Sequence, residues 1–340
     1  MTHASIRTMA ELAEVSGLSR PTLSKYFDDP DSVRPSTRAR IEAALLRYDY
    51  RPNFYAVNLN RRHAKILGMI VPDLVDPFYV QLAQVIESRA IAAGMVLLVL
   101  SSRGETRLEA HAIETLLSLK VAGAILAPLG RSSETALVDN LQDQIPLVFL
   151  DSRLDLPVPF VGNDNAMSVP LITEYLCRTG KPPTFFEAPS VNHIGSERRD
   201  AYVATMERLG LQPEVITVPD RRDWRFEAIG FAETERLLEG SGFPTSTVLC
   251  SNDRIAMGVM AAAFQHGLRV GRGPDADLRV AGHDDQPLSR YACPPLTTVA
   301  QDFEQLGGRA LELLLDGIAE PNRAPNQVRL AARLVLRQSA

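Results

Sequence analysis

Residues Thr8–Phe27 read TMAELAEVSGLSRPTLSKYF, and this stretch predicts two short helices joined by a tight turn. Thr8 and Glu11 have the spacing of a capping box, which would begin the first helix. Gly17 suits the left-handed turn between the helices, where most side chains are disfavoured. Ser19 would cap the second helix. Two helices in this arrangement are typical of a helix-turn-helix DNA reader, although capped helix pairs around a glycine also occur in other helical domains.

Side-chain chemistry gives each predicted helix a buried and an exposed side. The apolar side of the first helix would consist of Leu12, Val15 and Leu18. In the second helix, Pro21 is tolerated because it falls in the first turn, where no internal N–H bond is needed. The polar residues left to face outward are Arg20, Thr22, Ser24 and Lys25. A third helix is predicted over residues 36–48, with an apolar stripe of Ile41, Ala44, Leu45 and Tyr48.

The segment after the third helix has a different character. Residues 50–62 read YRPNFYAVNLNRR, which indicates a short helix that would fold only against a partner surface. Charge also separates this end of the chain from the rest. Residues 1–65 hold 11 Lys and Arg against 7 Asp and Glu, a net charge of +4, whereas the whole chain carries −5. A basic head on an acidic body is expected when only the head meets phosphate.

Residues 8–65 resemble the DNA-binding headpiece of the lactose-repressor (LacI/GalR) family of bacterial transcription regulators. The matching segments are Ala13–Phe27, Pro35–Arg38 and Tyr50–Asn53, which leads into Ala56 and Leu59. The resemblance implies that the base-reading residues in the major groove are Arg20, Pro21 and Lys25. It implies that the phosphate-contacting residues are Ser19, Thr22, Ser24 and Asn53. The hinge residues Ala56 and Leu59 complete the implied contacts, with Leu59 wedged into the minor groove.

Composition limits the class of protein. The chain is 340 residues long, enough for two or three domains, and it is 45% hydrophobic and 23% charged, as in ordinary globular proteins. It has no apolar run of transmembrane length, and its polar N-terminus predicts no signal peptide. Three scattered cysteines, Cys177, Cys250 and Cys293, favour reduced thiols in the cytoplasm. No metal spacing, cofactor-binding loop or catalytic set is found, so no metal, cofactor or catalytic residue is predicted.

From Ile66 onward, short apolar strands alternate with helices, which predicts two lobes built on doubly wound parallel sheets. Predicted strands are Leu67–Val71, Val96–Leu100, Ala124–Ala127, Leu147–Leu150, 184–187, 215–218, 247–250 and 278–281. Predicted helices lie near 79–93, 105–119, 133–142, 166–178, 197–209, 226–238 and 254–266. Two such lobes in tandem predict a cleft between them, and ligands of these sheets bind beyond the carboxyl ends of the strands.

The resemblance extends over this larger part. The motifs that carry it are Ile70–Asp73, Asp76–Tyr79, Leu150–Asp151, Ser251–Asp253, Ala281–Asp285 and Pro294–Thr298. It implies a core similar to periplasmic sugar-binding proteins, with the chain crossing between lobes near residues 163, 300 and 327.

The predicted fold class is an N-terminal all-α helix-turn-helix headpiece with a hinge helix, followed by an α/β core of two doubly wound parallel-sheet lobes. The predicted domains are a headpiece (1–51), a hinge helix and linker (52–65) and an effector-binding and dimerisation core (66–340). Within the core, the N-lobe would comprise about 66–163 and 300–326, and the C-lobe about 164–299 and 327–340.

An effector site in the cleft is also implied by the resemblance. Arg198 would grip effector oxygens with its planar fork. The other implied contacts are Phe78, Tyr79, Asp151, Trp224, Asn252, Asp253 and Asp284. Trp224 would stack on a flat sugar face, although its spacing to Gly230 leaves Phe226 as the alternative. Asn252 and Asp253 could instead cap the following helix, and Asp284 could be a turn residue. Arg153 and Glu187 leave the charge of the pocket open.

These observations predict a sequence-specific transcription regulator, by expectation a repressor, whose operator affinity is controlled by a small effector. A sugar or sugar derivative is the first expectation and a nucleoside or purine the second; inducer and co-repressor stay open. Residues 1–62 oppose a solute-binding protein without DNA function, and the missing catalytic set opposes an enzyme. The predicted partners are double-stranded operator DNA and a second copy of the chain, with no membrane. A dimer is expected because the chain ends after a predicted strand, Val328–Leu336, with its contact around the helix at 79–93.

Overall fold

The computed structural model describes residues 6–48, 50, 65–218, 223–321 and 324–340. The chain forms two compact units, one of Met1–Lys65 with Leu119–Ala122 and one of Ile66–Ser118 with Gly123–Ala340. Among the described residues, no helix is both long and apolar enough to cross a membrane.

The first unit contains the three predicted helices, α1 (Met9–Ser16), α2 (Arg20–Asp28) and α3 (Pro35–Tyr48), with a 3₁₀ turn at Pro30–Ser32. The capping box is confirmed, since the backbone N–H of Glu11 donates to Thr8 Oγ1 at 3.2 Å and that of Thr8 donates to Glu11 Oε2 at 3.3 Å. Gly17 has a φ of 60°, the left-handed conformation that the turn requires. Ser19 caps α2 by accepting from the Thr22 N–H at 3.3 Å.

A small apolar core holds these helices together. Leu12, Leu23 and Ile41 are fully buried, and the predicted stripe of α3 packs around them. The prediction for Val15 is wrong, because its side chain is 43% exposed. The buried face of α1 lies on the other side of Leu12, where Met9 and Ala13 pack against the core.

The N-lobe of the second unit is built on a six-stranded parallel sheet in the order β11-β5-β4-β3-β1-β2. Its strands are β1 (Ile66–Val71), β2 (Val96–Ser101), β3 (Gly123–Leu126), β4 (Leu147–Leu150), β5 (Phe160–Asn163) and β11 (Gln327–Leu330). Its helices are α4 (Pro77–Ala92), α5 (Thr106–Ser118), α6 (Thr135–Gln144) and α11 (Phe303–Ala319). Every residue of β1 is buried, as expected of a central parallel strand covered on both faces.

The C-lobe has a four-stranded parallel sheet in the order β7-β6-β8-β9. Its strands are β6 (Thr184–Phe186), β7 (Glu214–Ile216), β8 (Thr247–Cys250) and β9 (Arg279–Ala281). Its helices are α7 (Asn165–Thr179), α8 (His193–Arg208), α9 (Phe226–Glu239) and α10 (Asp253–Gln265). The backbones of α9 and α10 are in contact at two glycines, Gly230 and Gly258. A Cβ on Gly230 would lie 2.4 Å from the Ile255 carbonyl oxygen, and a Cβ on Gly258 would lie 2.2 Å from the Glu227 carbonyl oxygen, so neither position has room for a side chain.

Three connections join the lobes. The first lies between Asn163 and Asn165, and the second follows β10 (Thr298–Ala300), close to the predicted positions. The third lies after Leu330 rather than near residue 327, because β11 still pairs with β5 in the N-lobe sheet. The single strand predicted over Val328–Leu336 is therefore wrong. Ala331 and Ala332 divide it into β11 and β12 (Arg333–Val335), and β12 pairs with β10 instead.

Candidate functional site

The DNA-reading helix α2 is fixed on one side and exposed on the other. Leu23 is fully buried in the headpiece core, while Arg20, Pro21, Ser24 and Lys25 are exposed. The Ser19 hydroxyl also bonds the Thr22 hydroxyl at 2.8 Å, which orders the first turn. Within the described residues, neither Arg20 nor Lys25 forms an ion pair, so their charges face outward without a protein partner. Asn53, Ala56 and Leu59 lie outside the described residues.

The predicted effector residues converge beyond the carboxyl ends of β1, β4, β6, β8 and β9, between the two lobes. They line a cavity of about 50 Å³, room for one or two water molecules and less than a sugar ring occupies. Ligand entry therefore requires the lobes or side chains to move. The predicted residues that line it are Phe78, Tyr79, Asp151, Arg198, Trp224, Asn252 and Asp284.

Arg198 lies on α8, and all three nitrogens of its guanidinium donate hydrogen bonds. Nη2 donates to Asp284 Oδ1 at 2.8 Å, Nη1 to the Ser251 carbonyl oxygen at 2.7 Å, and Nε to Asn165 Oδ1 at 3.2 Å. Its neighbours on α8, Glu197 and Asp200, form no ion pair with it in the described part of the chain. The planar fork is thus held rigidly at the cleft, with only its remaining N–H donors free for a ligand.

Asp284 is the anionic partner in this network. It accepts from Arg198, from Gln301 Nε2 at 2.8 Å and from His283 Nδ1 at 3.1 Å. Burial disfavours its charge, but Arg198 and His283 outweigh that effect and lower the pKa of Asp284 below its usual value. Burial lowers the pKa of His283 to about 4, so the neutral ring accepts at Nε2 from the Ser168 hydroxyl, 2.9 Å away.

Asp151 has the least compensated charge in the cleft. It follows β4 with a φ of 65°, and the Tyr79 hydroxyl donates to its Oδ2 at 3.0 Å. No Lys, Arg or His among the described residues forms an ion pair with it. Burial raises the pKa of Asp151 to about 7, with smaller contributions from Asp284 and Asp76, while Arg198 and the bond from Tyr79 act in the opposite direction. Burial also raises the pKa of Tyr79 well above its usual range, so its hydroxyl remains a donor.

Aromatic side chains form one wall. Trp224 and Phe226 both line the cleft, with ring centroids 5.7 Å apart, and Tyr79 lies 6.4 Å from Trp224. The sequence left open which of the two C-lobe rings would stack on a ligand, and both are in position. Trp224 reaches the N-lobe, where a Cβ on Gly104 would lie 2.2 Å from its Cδ1, so this close approach requires glycine.

Asn252 and Asp253 separate into different roles. Asn252 caps α10 by accepting from the Ile255 N–H at 2.9 Å, and it also lines the cleft. Asp253 does not line the cleft, and the prediction of effector contact is corrected here. Its fully buried carboxylate accepts from the hydroxyls of Ser289 and Thr298 and from the Gln286 N–H at 2.9 Å. It organises the loop after β9.

Sequence reasoning missed a pair of charges at the edge of the cleft. Asp76 caps α4 by accepting from the Phe78 N–H at 2.9 Å, and Arg254 Nη1 donates to its Oδ2 at 3.1 Å from the opposite lobe. Burial raises the pKa of Asp76 to about 6, although Arg254 opposes that shift. The order Asp76-Pro-Phe-Tyr signals a capped helix start, but no sequence signal shows that the second residue of α10 reaches the other lobe.

The structure identifies the charged groups that line the cleft. Glu187 pairs with Arg199 at 2.9 Å, and Arg153 lies over the Phe160 ring at 5.6 Å; neither lines the cavity. The ionisable lining groups, Tyr79 apart, are one guanidinium and three carboxyls: Arg198, Asp76, Asp151 and Asp284. Since Arg198 pairs with Asp284 and Arg254 with Asp76, Asp151 remains as the unpaired acid.

Comparisons with known proteins agree with both parts. Residues 8–53 match the model of bacterial regulatory proteins of the lacI family, and residues 180–340 match that of a periplasmic binding protein-like domain. The HTH-type transcriptional repressor CytR of Escherichia coli (strain K12) is 29% identical over 98% of this chain and 96% of its own length. The ribose operon repressor of the same strain is 26% identical over 98% and 99%.

Solved structures give the same result. The Lac repressor bound to ONPG in the repressed state has a TM-score of 0.83 at 27% identity, covering 99% of this chain and 100% of that one. The Lac repressor dimer bound to operator and the anti-inducer ONPF also has a TM-score of 0.83, at 28% identity and 99% coverage of each chain.

Fold and sites together define a DNA-binding transcription regulator with a ligand-binding α/β core. The chain combines a lacI-family DNA-binding domain with a periplasmic binding protein-like domain and is homologous to the CytR, ribose operon and lactose operon repressors. The predicted family and fold class are confirmed, apart from the hinge helix, which falls outside the described residues. Because this is a family of regulators and not of enzymes, the alternative of catalysis in the cleft is excluded.

Proposed function

We propose that this regulator is controlled by a neutral, hydroxyl-rich effector, a sugar in the first instance, bound between the lobes. The observation that carries the proposal is Asp151, a buried carboxyl that, within the described ranges, has one hydrogen-bond donor, Tyr79, and no cation paired to it. Ligand hydroxyls would supply the missing donors, since a carboxylate accepts several hydrogen bonds. A sugar acid or sugar phosphate would bring a second negative charge beside Asp151, so anionic effectors are disfavoured.

The other lining residues suit the same class of ligand. Trp224 and Phe226 offer ring faces for the apolar side of a sugar or for a nucleobase. Arg198 and Asn252 would donate to ring or hydroxyl oxygens, while Asp284 keeps Arg198 in place. A nucleoside shares the hydroxyls and the flat face and is therefore the second member of the same class.

At the level of assembly, we infer a homodimer that binds a pseudo-palindromic operator in the cytoplasm. The Lac repressor dimer on its operator, solved at 28% identity, supports this assembly. The exposed face of α4 offers Ile91, 65% exposed, and further exposed apolar side chains lie on the C-lobe, with Tyr291 at 73% and Leu288 at 64%. The dimer contact proposed here therefore includes both lobes. Residues 1–51, 52–65 and 66–340 are its headpiece, hinge and core.

Thermal unfolding of the full chain against neutral sugars, nucleosides, sugar acids and sugar phosphates tests the effector proposal. A neutral hydroxylated compound at 100 times its dissociation constant should stabilise the protein by about 2.7 kcal/mol, and the anionic analogue should not. Asp151→Asn should abolish or reduce the shift, whereas Arg153→Gln, a change outside the cleft, should preserve it. A shift with the anionic compounds alone would overturn the proposal.

A further inference from the structure

We propose that Arg254 fastens the two lobes to each other across the effector cleft, and so sets how readily the cleft opens. Arg254 is not among the residues that line the cavity. It would act on effector binding as a positioning residue, through Asp76, rather than by touching the ligand. The contact between the lobes exists without any effector. Only its effect on effector binding rests on the proposed function of the cleft.

The guanidinium of Arg254 is first fixed within its own lobe. Nε donates to Glu227 Oε1 and Nη2 to Glu227 Oε2, both at 2.7 Å, which is the bidentate geometry that a planar fork favours. The group also lies 5.1 Å from the centre of the Phe226 ring. Glu227 and Phe226 belong to α9, which Gly230 and Gly258 hold in backbone contact with α10. These contacts fix the orientation of the Arg254 guanidinium and leave Nη1 as the nitrogen that is not bonded to Glu227.

The remaining nitrogen of Arg254, Nη1, reaches the N-lobe. Nη1 donates to Asp76 Oδ2 at 3.1 Å, and the two side chains are 5% and 7% exposed. A second C-lobe donor reaches the same carboxylate, since Gln286 Nε2 lies 3.3 Å from Asp76 Oδ1. Asp76 also caps α4, whose first turn carries the cleft residues Phe78 and Tyr79. The fastening thus joins the C-lobe to the helix start that shapes the cleft.

Charge and burial explain why this contact resists opening. Separating the lobes would leave Asp76 without both of its C-lobe donors, while Arg254 would keep Glu227. A buried charge pair is most costly when one partner is removed and the other stays, and much less costly when both are replaced. The pair should therefore favour the closed arrangement, and the cost of breaking it should depend on both residues together.

Trp224 makes the state of the cleft measurable without any ligand. It is the only tryptophan of the chain and is 8% exposed between Gly104 and the C-lobe. Opening the cleft should expose it to a soluble quencher. Acrylamide quenching of the full-length protein, combined with the radius of gyration from small-angle scattering, would report closure directly.

The variants to compare are Asp76→Asn, Arg254→Met and the double variant. Asn keeps the cap on α4 and leaves Phe226 and Arg254 untouched, so it removes only the N-lobe charge. Each single variant should raise the quenching constant about twofold or more and increase the radius of gyration. The double variant should show no more than the larger single effect, since both changes break one contact.

A salt bridge within the C-lobe supplies the matched control. Arg337 Nη2 lies 2.6 Å from Asp285 Oδ1, and both side chains are 13% exposed. Asp285→Asn and Arg337→Met should lower the melting temperature without changing Trp224 quenching. If Asp76→Asn and Arg254→Met behave like these controls, Arg254 supports its own lobe only and the proposal is wrong. Because no effector is used, that result is independent of the effector class.

Discussion

At the scale of single residues, the cleft is defined by how its carboxyls are compensated. Asp284 has Arg198, His283 and Gln301, and its pKa lies below the usual value. Among the residues that the structure describes, Asp151 has only the Tyr79 hydroxyl as a side-chain donor, and burial raises its pKa to about 7. The two acids lie in one cavity but differ in protonation near neutrality. Asp151 is therefore the residue whose state a ligand changes most.

Replacing Asp151 by Asn should stabilise the ligand-free protein, and more so at higher pH. The folded pKa of about 7 lies above the unfolded value, so folding takes up a proton between these values and stability falls as pH rises towards 7. Asn has no such dependence. The stability gained should be larger by about 2 kcal/mol at about pH 8 than at about pH 5.5. Urea unfolding at the two values measures this, and an equal gain at both would contradict the assigned pKa.

Effector affinity should rise with pH and level off above about pH 7. Ligand hydroxyls that donate to Asp151 favour its ionised form, so binding lowers its pKa and releases a proton. Calorimetry in buffers of different ionisation enthalpy counts that proton, using whichever compound shifts the melting temperature. The release should vanish in Asp151→Asn. Proton uptake on binding would show that the ligand accepts from a protonated Asp151 instead.

Seven of the residues predicted for the effector site line the cavity, whereas the roles of a neighbouring pair were not predicted. Asp151, Asn252 and Asp284 lie one, two and three positions after the ends of β4, β8 and β9, and the carboxyl ends of parallel strands meet at one edge. Asp253 and Arg254 lie one and two positions further, in the first turn of α10. There the direction of a side chain depends on how α10 lies against α9 and the loop after β9. That arrangement is tertiary, so no periodicity in the sequence reports it.

At the scale of elements, α2 separates stability from recognition on its two faces. Leu23 points into the headpiece core, while Arg20 and Lys25 point outward. The capping residues Thr8 and Ser19 and the turn at Gly17 were predictable because each acts within a few residues of its own position. Val15 was not, because the buried face of α1 is chosen by α2 and α3.

Lys25→Ala should reduce affinity for a specific operator more than affinity for random DNA. A bidentate or single contact from a lysine to a guanine edge contributes about 1–3 kcal/mol of discrimination. Arg47→Ala removes the same charge from α3, outside the reading helix. Fluorescence anisotropy on operator and scrambled duplexes compares the two variants. If Lys25→Ala weakens both duplexes equally, Lys25 contacts phosphate and does not read bases.

Leu23→Ala should unfold the headpiece and leave the core intact. Leu23 is fully buried, and truncation of such a leucine costs about 2–5 kcal/mol, most of what a domain of this size has. DNA binding should be lost, while the ligand-dependent melting transition of the core should remain. Calorimetric scans of the full chain resolve the two transitions. Loss of the ligand shift as well would mean that the two units do not fold independently.

The helices and strands of the core show which features the sequence pattern predicts and which it does not. Apart from α11, the long helices and the central strands of the core were predicted within a few residues. The unpredicted β5 and β10 are only four and three residues long, and α11 lies where only a lobe crossing was expected. The strand predicted over Val328–Leu336 has suitable composition throughout, yet Ala331 and Ala332 carry the chain from one sheet to another. Residue composition does not encode which sheet a strand joins.

At the scale of the whole molecule, the groups suited to DNA binding and those suited to ligand binding lie in separate units. The headpiece carries the exposed cations Arg20 and Lys25 on a capped helix, and the core carries an acidic cleft with contacts between its two lobes. Charge follows the same division, since residues 1–65 carry +4 in a chain of −5. Homology to LacI-type repressors joins these parts into one function, in which a ligand of the core controls the affinity of the headpiece for DNA.

The measurement that tests this account most directly is operator affinity of the full-length protein with and without effector. DNA selected from a random library by the purified chain supplies the operator, and the compound that shifts the melting temperature supplies the effector. The affinity should change by about 5- to 150-fold, in either direction, and Asp151→Asn should lose the change while still binding DNA. Selection of no sequence, or an affinity indifferent to a compound that demonstrably binds the cleft, would contradict the account.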